Sequence, residues 1–230
     1  MKKIVFLIMC LCSVYANSQE GVPFFVNYPA SVYQAHNRNF DVVCDSCGNV
    51  YFANFEGILH YDYNRWETIY TPGFSRVTRL FRDSEGRIWV GGYNVFGRIE
   101  RDGRGCITLR TLLSDPDTDS LGELEDMAEI DKRIYLKATS GRYYTVQSDS
   151  ILAPVQVLPA QLQEKWRNQS SVSMNRAFSL PGGETISINS AHGLIMDDSG
   201  KKERFSVTER NGLCSNAVSG IAADGREIGR

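Results

Sequence analysis

Short apolar runs separated by turn residues recur along this chain. In the first such unit, apolar and polar residues alternate or form brief apolar blocks over 41–45, 50–54, 58–62 and 66–70, with Asp, Gly and Asn between the blocks. A period of two is typical of half-buried β-strands, and runs this short do not favour helices. The pattern therefore predicts a unit of four antiparallel strands.

The same unit occurs again further along the chain. The segment CDSCGNVYFAN, Cys44–Asn54, aligns without a gap with RDSEGRIWVGG, Arg82–Gly92, at an offset of 38 residues. The aligned pairs are Asp45 and Asp83, Ser46 and Ser84, Gly48 and Gly86, Val50 and Ile88, Tyr51 and Trp89, and Phe52 and Val90. An Asp whose carboxylate accepts hydrogen bonds from backbone N–H groups, together with a Gly at positive φ, closes a tight hairpin. The repeated motif therefore predicts a turn followed by a strand.

Weaker copies extend the repeat to most of the chain. A third copy starts at Asp131, a fourth at Gly182 and a fifth at Asn216, and a glycine marks the same point in the first four units: Gly57, Gly97, Gly141 and Gly193. Repeats of about 40 to 50 residues with several strands each are typical of propellers. We expect an all-β fold, a β-propeller of four-stranded antiparallel blades with about four blades and the start of a fifth, hence incomplete. A β-sandwich with accidentally similar hairpins is the alternative.

The repeat also predicts how the chain is divided. A signal peptide at 1–16 and a lead-in segment at 17–39 precede blades at 40–76, 77–124, 125–176 and 177–215, and a truncated blade begins at 216–230. The segment PAQLQEKWRNQ, from Pro159, predicts a short helix between the third and fourth blades, where it would cover an edge. Trp66 and Trp89 lie within the strand pattern and are expected to pack between blades.

The first residues and the charge predict export. Lys2 and Lys3 precede an apolar run, Ile4–Ala16, which is typical of a secretory signal cleaved after Ala16. Its 13 residues are too few for a membrane anchor, which needs about 20. The chain has 25 Lys and Arg against 27 Asp and Glu, so it has no basic excess that would favour nucleic-acid binding.

Two motifs that could bind a metal or act in redox chemistry are disfavoured. Cys44 and Cys47 have a C-x-x-C spacing, but strand-like segments flank them on both sides, so a reduced or locally bridged hairpin pair is expected. The acidic segment with Asp115, Asp117, Asp119 and Asp126 has the spacing of a calcium loop but lacks its glycine and its final Glu. We therefore expect no cofactor and no metal.

Catalysis is not expected either. The three histidines, His36, His60 and His192, lie in no recognisable catalytic motif, and no paired carboxylates with an arginine cluster can be assigned. The chain is therefore not expected to be an enzyme.

The repeated phrase Asp-x-x-Gly-x-(Ile/Val)-aromatic-(Val/Phe), behind a signal peptide, resembles the two-component regulator propeller repeats of large membrane-bound sensory regulators in Bacteroidetes. The segment at 21–69 is similar to the start of the periplasmic region of those sensors, and NGLCSNAVSGIAADGR, Asn211–Arg226, resembles their phrase that leads into a further blade. The resemblance implies a periplasmic sensor of an extracellular ligand, commonly a glycan breakdown product such as an oligosaccharide.

Full members of the resembled family continue into further blades, an immunoglobulin-like domain, a membrane helix and a cytoplasmic effector, and the full-length sensor is expected to pair as a homodimer. The effector is a histidine kinase or a helix-turn-helix domain, and both stay open. This region itself is expected to make no direct contact with nucleic acid. Because an incomplete propeller leaves strand edges unpaired, the isolated chain is expected to be marginally stable or to aggregate. A structural or protein-interaction propeller without a small ligand is the alternative.

Propeller topology predicts where a ligand would bind. Loops that leave the second strand of every blade lie on one face, and sugars are bound by aromatic rings together with Asn, Asp or Glu side chains. The residues expected to contact a ligand or partner are Asn54, Glu56, Tyr93, Asn94 and His192. For Asn54 and Asn94, a role in closing the turns is the alternative.

Overall fold

The computed structural model describes residues 26–113, 121–147 and 151–168, shorter segments at 177–179, 185–189, 193–198, 203–210 and 212–213, and positions 218 and 221. The predicted signal peptide lies outside these residues, as does nearly all of the predicted fifth blade. Among the helices described, none is long and apolar enough to cross a membrane.

The described strands form four antiparallel sheets, each of four strands whose spatial order follows the chain. Sheet 1 contains β1 (Asn39–Cys44), β2 (Val50–Asn54), β3 (Gly57–Tyr61) and β4 (Trp66–Ile69). Sheet 2 contains β5 (Val77–Arg82), β6 (Ile88–Gly92), β7 (Val95–Arg101) and β8 (Ile107–Thr111). Sheet 3 contains β9 (Leu124–Ile130), β10 (Arg133–Ala138), β11 (Tyr143–Gln147) and β12 (Ile151–Pro154), and sheet 4 contains β13 (Ala177–Ser179), β14 (Thr185–Asn189), β15 (Gly193–Asp198) and β16 (Glu203–Val207).

The turn chemistry of the repeat explains the first hairpin of sheets 1 and 2. Gly48 and Gly86 adopt positive φ angles of 87° and 82° and donate backbone N–H groups to the carbonyls of Asp45 and Asp83. A side chain with a Cβ is strained at such angles, which is why glycine stands there. The four strands predicted for the first unit are confirmed to within two residues at each end.

The first strands of neighbouring sheets lie side by side, as they do around a propeller axis. β1 packs against β5, and β5 packs against β9. The Leu80 backbone N–H donates to the Asp41 carboxylate at 3.1 Å, and the Thr78 hydroxyl donates to the Leu124 carbonyl at 3.1 Å. Sheets stacked through their first strands in this way form an incomplete β-propeller, which confirms the predicted fold class.

The stacking places equivalent turns on one rim. Ser84, in the turn between the first two strands of sheet 2, donates its backbone N–H and its hydroxyl to the Glu129 carboxylate at 2.7 and 2.6 Å. Glu129 is near the end of β9, which shows that β5 and β9 run in the same direction. The rim that carries Asp45, Asp83 and Glu129 is called the lower rim below.

Among the described residues, one apolar core lies between sheets 1 and 2 and another between sheets 2 and 3. Tyr51 and Ile58 of sheet 1 pack with Val90 of sheet 2 in the first core. In the second core, Trp89 and Phe96 of sheet 2 are buried and stack on each other with ring centroids 5.6 Å apart, against residues of sheet 3. Trp89 therefore packs between blades, as predicted. Such layers remove from water the faces that a single sheet would leave exposed.

The lead-in segment covers the other side of sheet 1. Tyr28 and Tyr33, the latter in the short helix α1 (Ala30–Tyr33), have ring centroids 5.2 and 5.5 Å from that of Trp66. Trp66 also stacks on Tyr61 at 4.3 Å. Trp66 is half-buried and lies beneath the lead-in segment rather than between sheets 1 and 2, which corrects the prediction. Its strand is the outermost of its sheet, and its side chain lies on the face that points away from sheet 2.

The predicted helix is present as α2 (Ala160–Asn168). Its buried Leu162 and Trp166 pack on the face of sheet 3 that points away from sheet 2, so the helix covers a face and not only an edge. The Trp166 indole N–H donates to the Asp126 carboxylate at 2.7 Å. Asp126 thus fixes the helix, while the other three aspartates of the disfavoured calcium loop lie outside the described residues.

The cysteines in the described part of the chain are thiols. Cys44 is buried, Cys47 and Cys106 are exposed, and none is in a disulfide. Of the two alternatives for Cys44 and Cys47, the structure shows the reduced pair. Within the described residues, no group of three or more side chains is arranged to hold a metal ion.

Candidate functional site

Three kinds of segment lie on the rim opposite the Asp45 and Asp83 turns: turns within a sheet, connections between sheets, and the lead-in segment. Because strands in each sheet alternate in direction, the turns between second and third strands and the connections from one sheet to the next emerge at the same end. Around sheets 1 and 2, this upper rim includes the turns at 54–57 and 92–95, the connection at 70–76 and the end of the lead-in segment at 34–38. The predicted contact residues of the first two sheets all lie there.

Asn54 holds the upper rim together. Its side chain is fully buried, and its amide nitrogen donates to the His36 carbonyl at 2.6 Å and to the Asn39 side-chain oxygen at 2.8 Å. Its amide oxygen accepts the backbone N–H of Glu56 at 2.9 Å. With these partners, Asn54 closes the turn and connects it to the lead-in segment. The sequence had left open whether Asn54 closes this turn or contacts a ligand.

Asn94 has a comparable role between sheets 2 and 3. Its φ of 51° lies in the left-handed region, which Asn tolerates better than most residues. Its side-chain oxygen accepts the Gly122 N–H at 2.7 Å, and its own N–H donates to the Gly122 carbonyl at 2.9 Å. Asn94 therefore joins a turn of sheet 2 to the segment that enters sheet 3.

Tyr93 remains available for contact. It is 47% exposed, and the guanidinium of Arg76 lies 5.3 Å from the centre of its ring. Arg76 also makes two hydrogen bonds of 3.1 Å to the Glu123 carboxylate, and these hydrogen bonds raise the pKa of Arg76. The ring is thus held on one face by a cation, while about half of the residue is exposed to solvent.

Glu56 lies in a recess with aromatic walls. The recess has a volume of about 380 Å³ and is lined by His36, Phe55, Glu56, Tyr70 and Phe74, which together are called the aromatic recess below. Two ring pairs form the walls, His36 with Phe55 at 4.6 Å and Tyr70 with Phe74 at 5.5 Å. Phe55, Tyr70 and Phe74 are 40%, 56% and 75% exposed. Such a volume is at the lower end of those of small-molecule sites. Because the recess lies on the upper rim and contains the predicted contact Glu56, it is the candidate functional site.

Sequence reasoning identified Glu56 but missed the four rings around it. Phe55 was adjacent to a chosen residue, whereas His36, Tyr70 and Phe74 come from the lead-in segment and the connection between sheets. The available signal was topological, because connections between blades emerge on the same rim as the turns between second and third strands. His192 lies outside the described residues, so its predicted contact is untested.

The two described histidines differ in environment. His36 lines the aromatic recess, whereas His60 is buried against Tyr51, with ring centroids 4.8 Å apart. Burial lowers the pKa of His60, and neither of its ring nitrogens has a hydrogen-bond partner among the described residues. His60 is therefore part of the packing between sheets and not of the rim.

Residues 72–94 match the model of the family described as two component regulator propeller. The matched segment begins in the connection beside the aromatic recess, passes through β5 and β6, and ends in the turn that holds Tyr93 and Asn94. No curated protein matches the chain at a significant level.

Among solved structures, the chain is similar to a streptogramin B lyase, with 16% identity, 80% of this chain and 57% of that chain covered, and a TM-score of 0.41. It is similar to the extracellular domain of a putative hybrid two component system from B. thetaiotaomicron, with 16% identity, 77% of this chain and 24% of that chain covered, and a TM-score of 0.43. The extracellular domain of a putative one component system from the same organism has 12% identity, with 81% of this chain and 27% of that chain covered, and a TM-score of 0.44.

The chain thus spans 57% of the lyase and about a quarter of each extracellular domain. With identities below 25% and TM-scores below 0.5, these likenesses bear on neither ligand nor activity. The family match does not depend on these structural likenesses. It falls on the second unit, which contains the Asp, Gly and Trp of the repeated motif. The chain therefore carries a two-component regulator propeller repeat, as its sequence predicts.

Proposed function

We propose that this chain is the ligand-sensing propeller region of an exported, membrane-bound regulator of the two-component type. The observation that carries the proposal is the family match at 72–94, a segment whose two ends reach the upper rim beside the aromatic recess and Tyr93. The matched family consists of regulator repeats, so the proposed role is binding and not catalysis.

A glycan-derived oligosaccharide is the proposed ligand, and the periplasm is the proposed location. Exposed rings on the upper rim, Tyr93 in particular, offer the apolar faces on which sugar rings stack. Further blades, an immunoglobulin-like domain, a membrane helix and an effector would complete the sensor in this proposal. In it, the full-length sensor acts as a homodimer.

The test is a thermal-shift screen of the chain, without its leader, against neutral and acidic oligosaccharides from several glycan classes. A ligand at 100 times its Kd stabilises a protein by about 2.7 kcal/mol. For a chain of this size, that corresponds to a Tm increase of roughly 5–10 °C. We expect such a shift for one glycan class, and we expect it to be smaller in Tyr93→Ala.

A flat response across all glycan classes would contradict the proposal and favour a structural or protein-interaction propeller. Tyr63→Ala serves as the matched control, because Tyr63 is 51% exposed and lies in the turn between β3 and β4, on the lower rim. A shift that Tyr93→Ala leaves unchanged would exclude Tyr93 from the sugar site.

A further inference from the structure

We propose that the aromatic recess binds an organic cation, namely a quaternary ammonium or alkylammonium group, against the carboxylate of Glu56. This site is separate from the proposed glycan contact at Tyr93, and the inference holds whether or not the chain senses a glycan. It depends on the ring geometry, on the charge of the recess and on the polar groups that the recess offers.

The rings form two walls that differ in origin. His36 and Phe55 are tilted by 32° relative to each other with centroids 4.6 Å apart, and Tyr70 meets Phe74 edge-on at 63°. The faces of aromatic rings carry partial negative charge and attract a cation within about 6 Å of the ring centre. A recess with several such rings is typical of sites for quaternary ammonium groups.

The charge inside the recess is negative and uncompensated. Among the described residues, Glu56 makes no ion pair, and its carboxylate accepts only the backbone N–H of His36, at 3.2 Å. The imidazole of His36 is engaged with the chain that follows it, since its Nδ1 accepts the backbone N–H of Arg38 at 3.1 Å. The recess is therefore lined by a carboxylate and by no arginine or lysine.

Arg38 and Arg76, which lie in or next to the segments that form the recess, have other partners. The guanidinium of Arg38 lies over the ring of Phe40, 4.8 Å from its centre. Arg76 is held by the Glu123 carboxylate and the ring of Tyr93. Neither lines the recess, so neither competes with a bound cation for Glu56.

The polar groups of the recess favour a cation over a sugar. A sugar ring carries several hydroxyls, and each needs a donor or an acceptor. The side chains of the recess offer one carboxylate, one imidazole and one phenol, while the amide of Asn54 behind them is satisfied internally. A quaternary ammonium group needs no hydrogen-bond partner, only a countercharge and ring faces.

The test compares choline with its neutral isostere 3,3-dimethyl-1-butanol by isothermal titration calorimetry on the chain without its leader. We expect choline to bind at least about tenfold more tightly than the isostere, since cation–π contacts and the carboxylate act only on the charged ligand. Glu56→Gln preserves shape and removes charge, and it should weaken choline binding by about tenfold or more. Phe74→Ala should weaken it as well.

Tyr63→Ala is the matched control, because Tyr63 is 51% exposed and does not line the recess. We expect its choline affinity to equal that of the unmodified chain. Equal binding of choline and the isostere, undiminished choline binding in Glu56→Gln, or no choline binding at all would each overturn the proposal. Neutral-sugar binding that Glu56→Gln abolishes and choline does not displace would also overturn it, since the recess would then be a sugar site.

Discussion

Replacing Asp83 with alanine is expected to lower the free energy of unfolding by about 2–4 kcal/mol. The Asp83 side chain is 0% exposed and accepts the Arg87 guanidinium at 2.6 Å and the Trp89 indole N–H at 2.8 Å. Its carboxylate also accepts the backbone N–H groups of Glu85 and Arg87. Alanine would leave the buried Trp89 N–H without a partner, which urea unfolding of the two proteins would measure.

Asp102→Ala provides the matched control. Asp102 is exposed and accepts two backbone N–H groups in an equivalent turn, those of Arg104 and Cys106, both at 2.8 Å. It has no bond to a buried indole, so its loss should cost about 1 kcal/mol. Equal losses for the two variants would contradict the role assigned to the bond between Asp83 and Trp89.

The contribution of Asp83 should also depend on pH. Burial raises the pKa of this carboxyl, but hydrogen bonds from Trp89 and Arg87 outweigh burial and hold the pKa below its ordinary value. A folded-state pKa below the unfolded value of about 3.9 stabilises the fold above that pH, and the stabilisation is lost as the pH falls through the folded-state pKa. The unmodified chain should therefore lose more stability between pH 5 and about pH 3 than Asp83→Ala does.

Replacing Phe96 with alanine is expected to cost about 3–5 kcal/mol. Phe96 is buried between sheets 2 and 3 and stacks on Trp89 with the ring planes 7° apart. The truncation would remove this contact and leave a cavity that the rigid strands around it cannot close. Urea unfolding followed by circular dichroism would measure the loss.

Phe74→Ala makes the same chemical change at an exposed position and should alter stability by no more than about 0.5 kcal/mol. Should Phe96→Ala fail to fold, Phe96→Leu keeps most of the apolar volume and should show a smaller loss. A loss for Phe96→Ala no greater than that for Phe74→Ala would contradict the packing of sheet 2 against sheet 3.

The fold was predictable because its information is local. The first turns of sheets 1 and 2 are marked by an Asp and a Gly, such as Asp83 and Gly86, and the strands are marked by the short apolar runs that follow. Repetition of this motif along the chain predicted that the sheets stack on one another. The position of Trp66 was not predictable in this way, because what covers an outer strand depends on where the lead-in segment packs.

The candidate site was only partly predictable because its residues come from three distant segments. His36, Glu56 and Tyr70 meet only once the lead-in segment, a turn and a connection reach the upper rim. The amide of Asn54 could equally contact a ligand or close a turn. Only its partners, the His36 carbonyl among them, distinguish these roles.

The most direct test of the account is chemical cross-linking on the lower rim, in a background from which the native cysteines have been removed. Ser84→Cys with Glu129→Cys places two thiols where the native side chains are 2.6 Å apart. Tyr93→Cys with Glu129→Cys places them on opposite rims, separated by roughly the 17 Å length of a five-residue strand. A short bismaleimide should link the first pair of cysteines and not the second. Mass spectrometry of the digested protein would identify the cross-linked peptides. Linkage of the second pair, or of neither, would contradict a fold in which sheets stack side by side with equivalent turns on one rim.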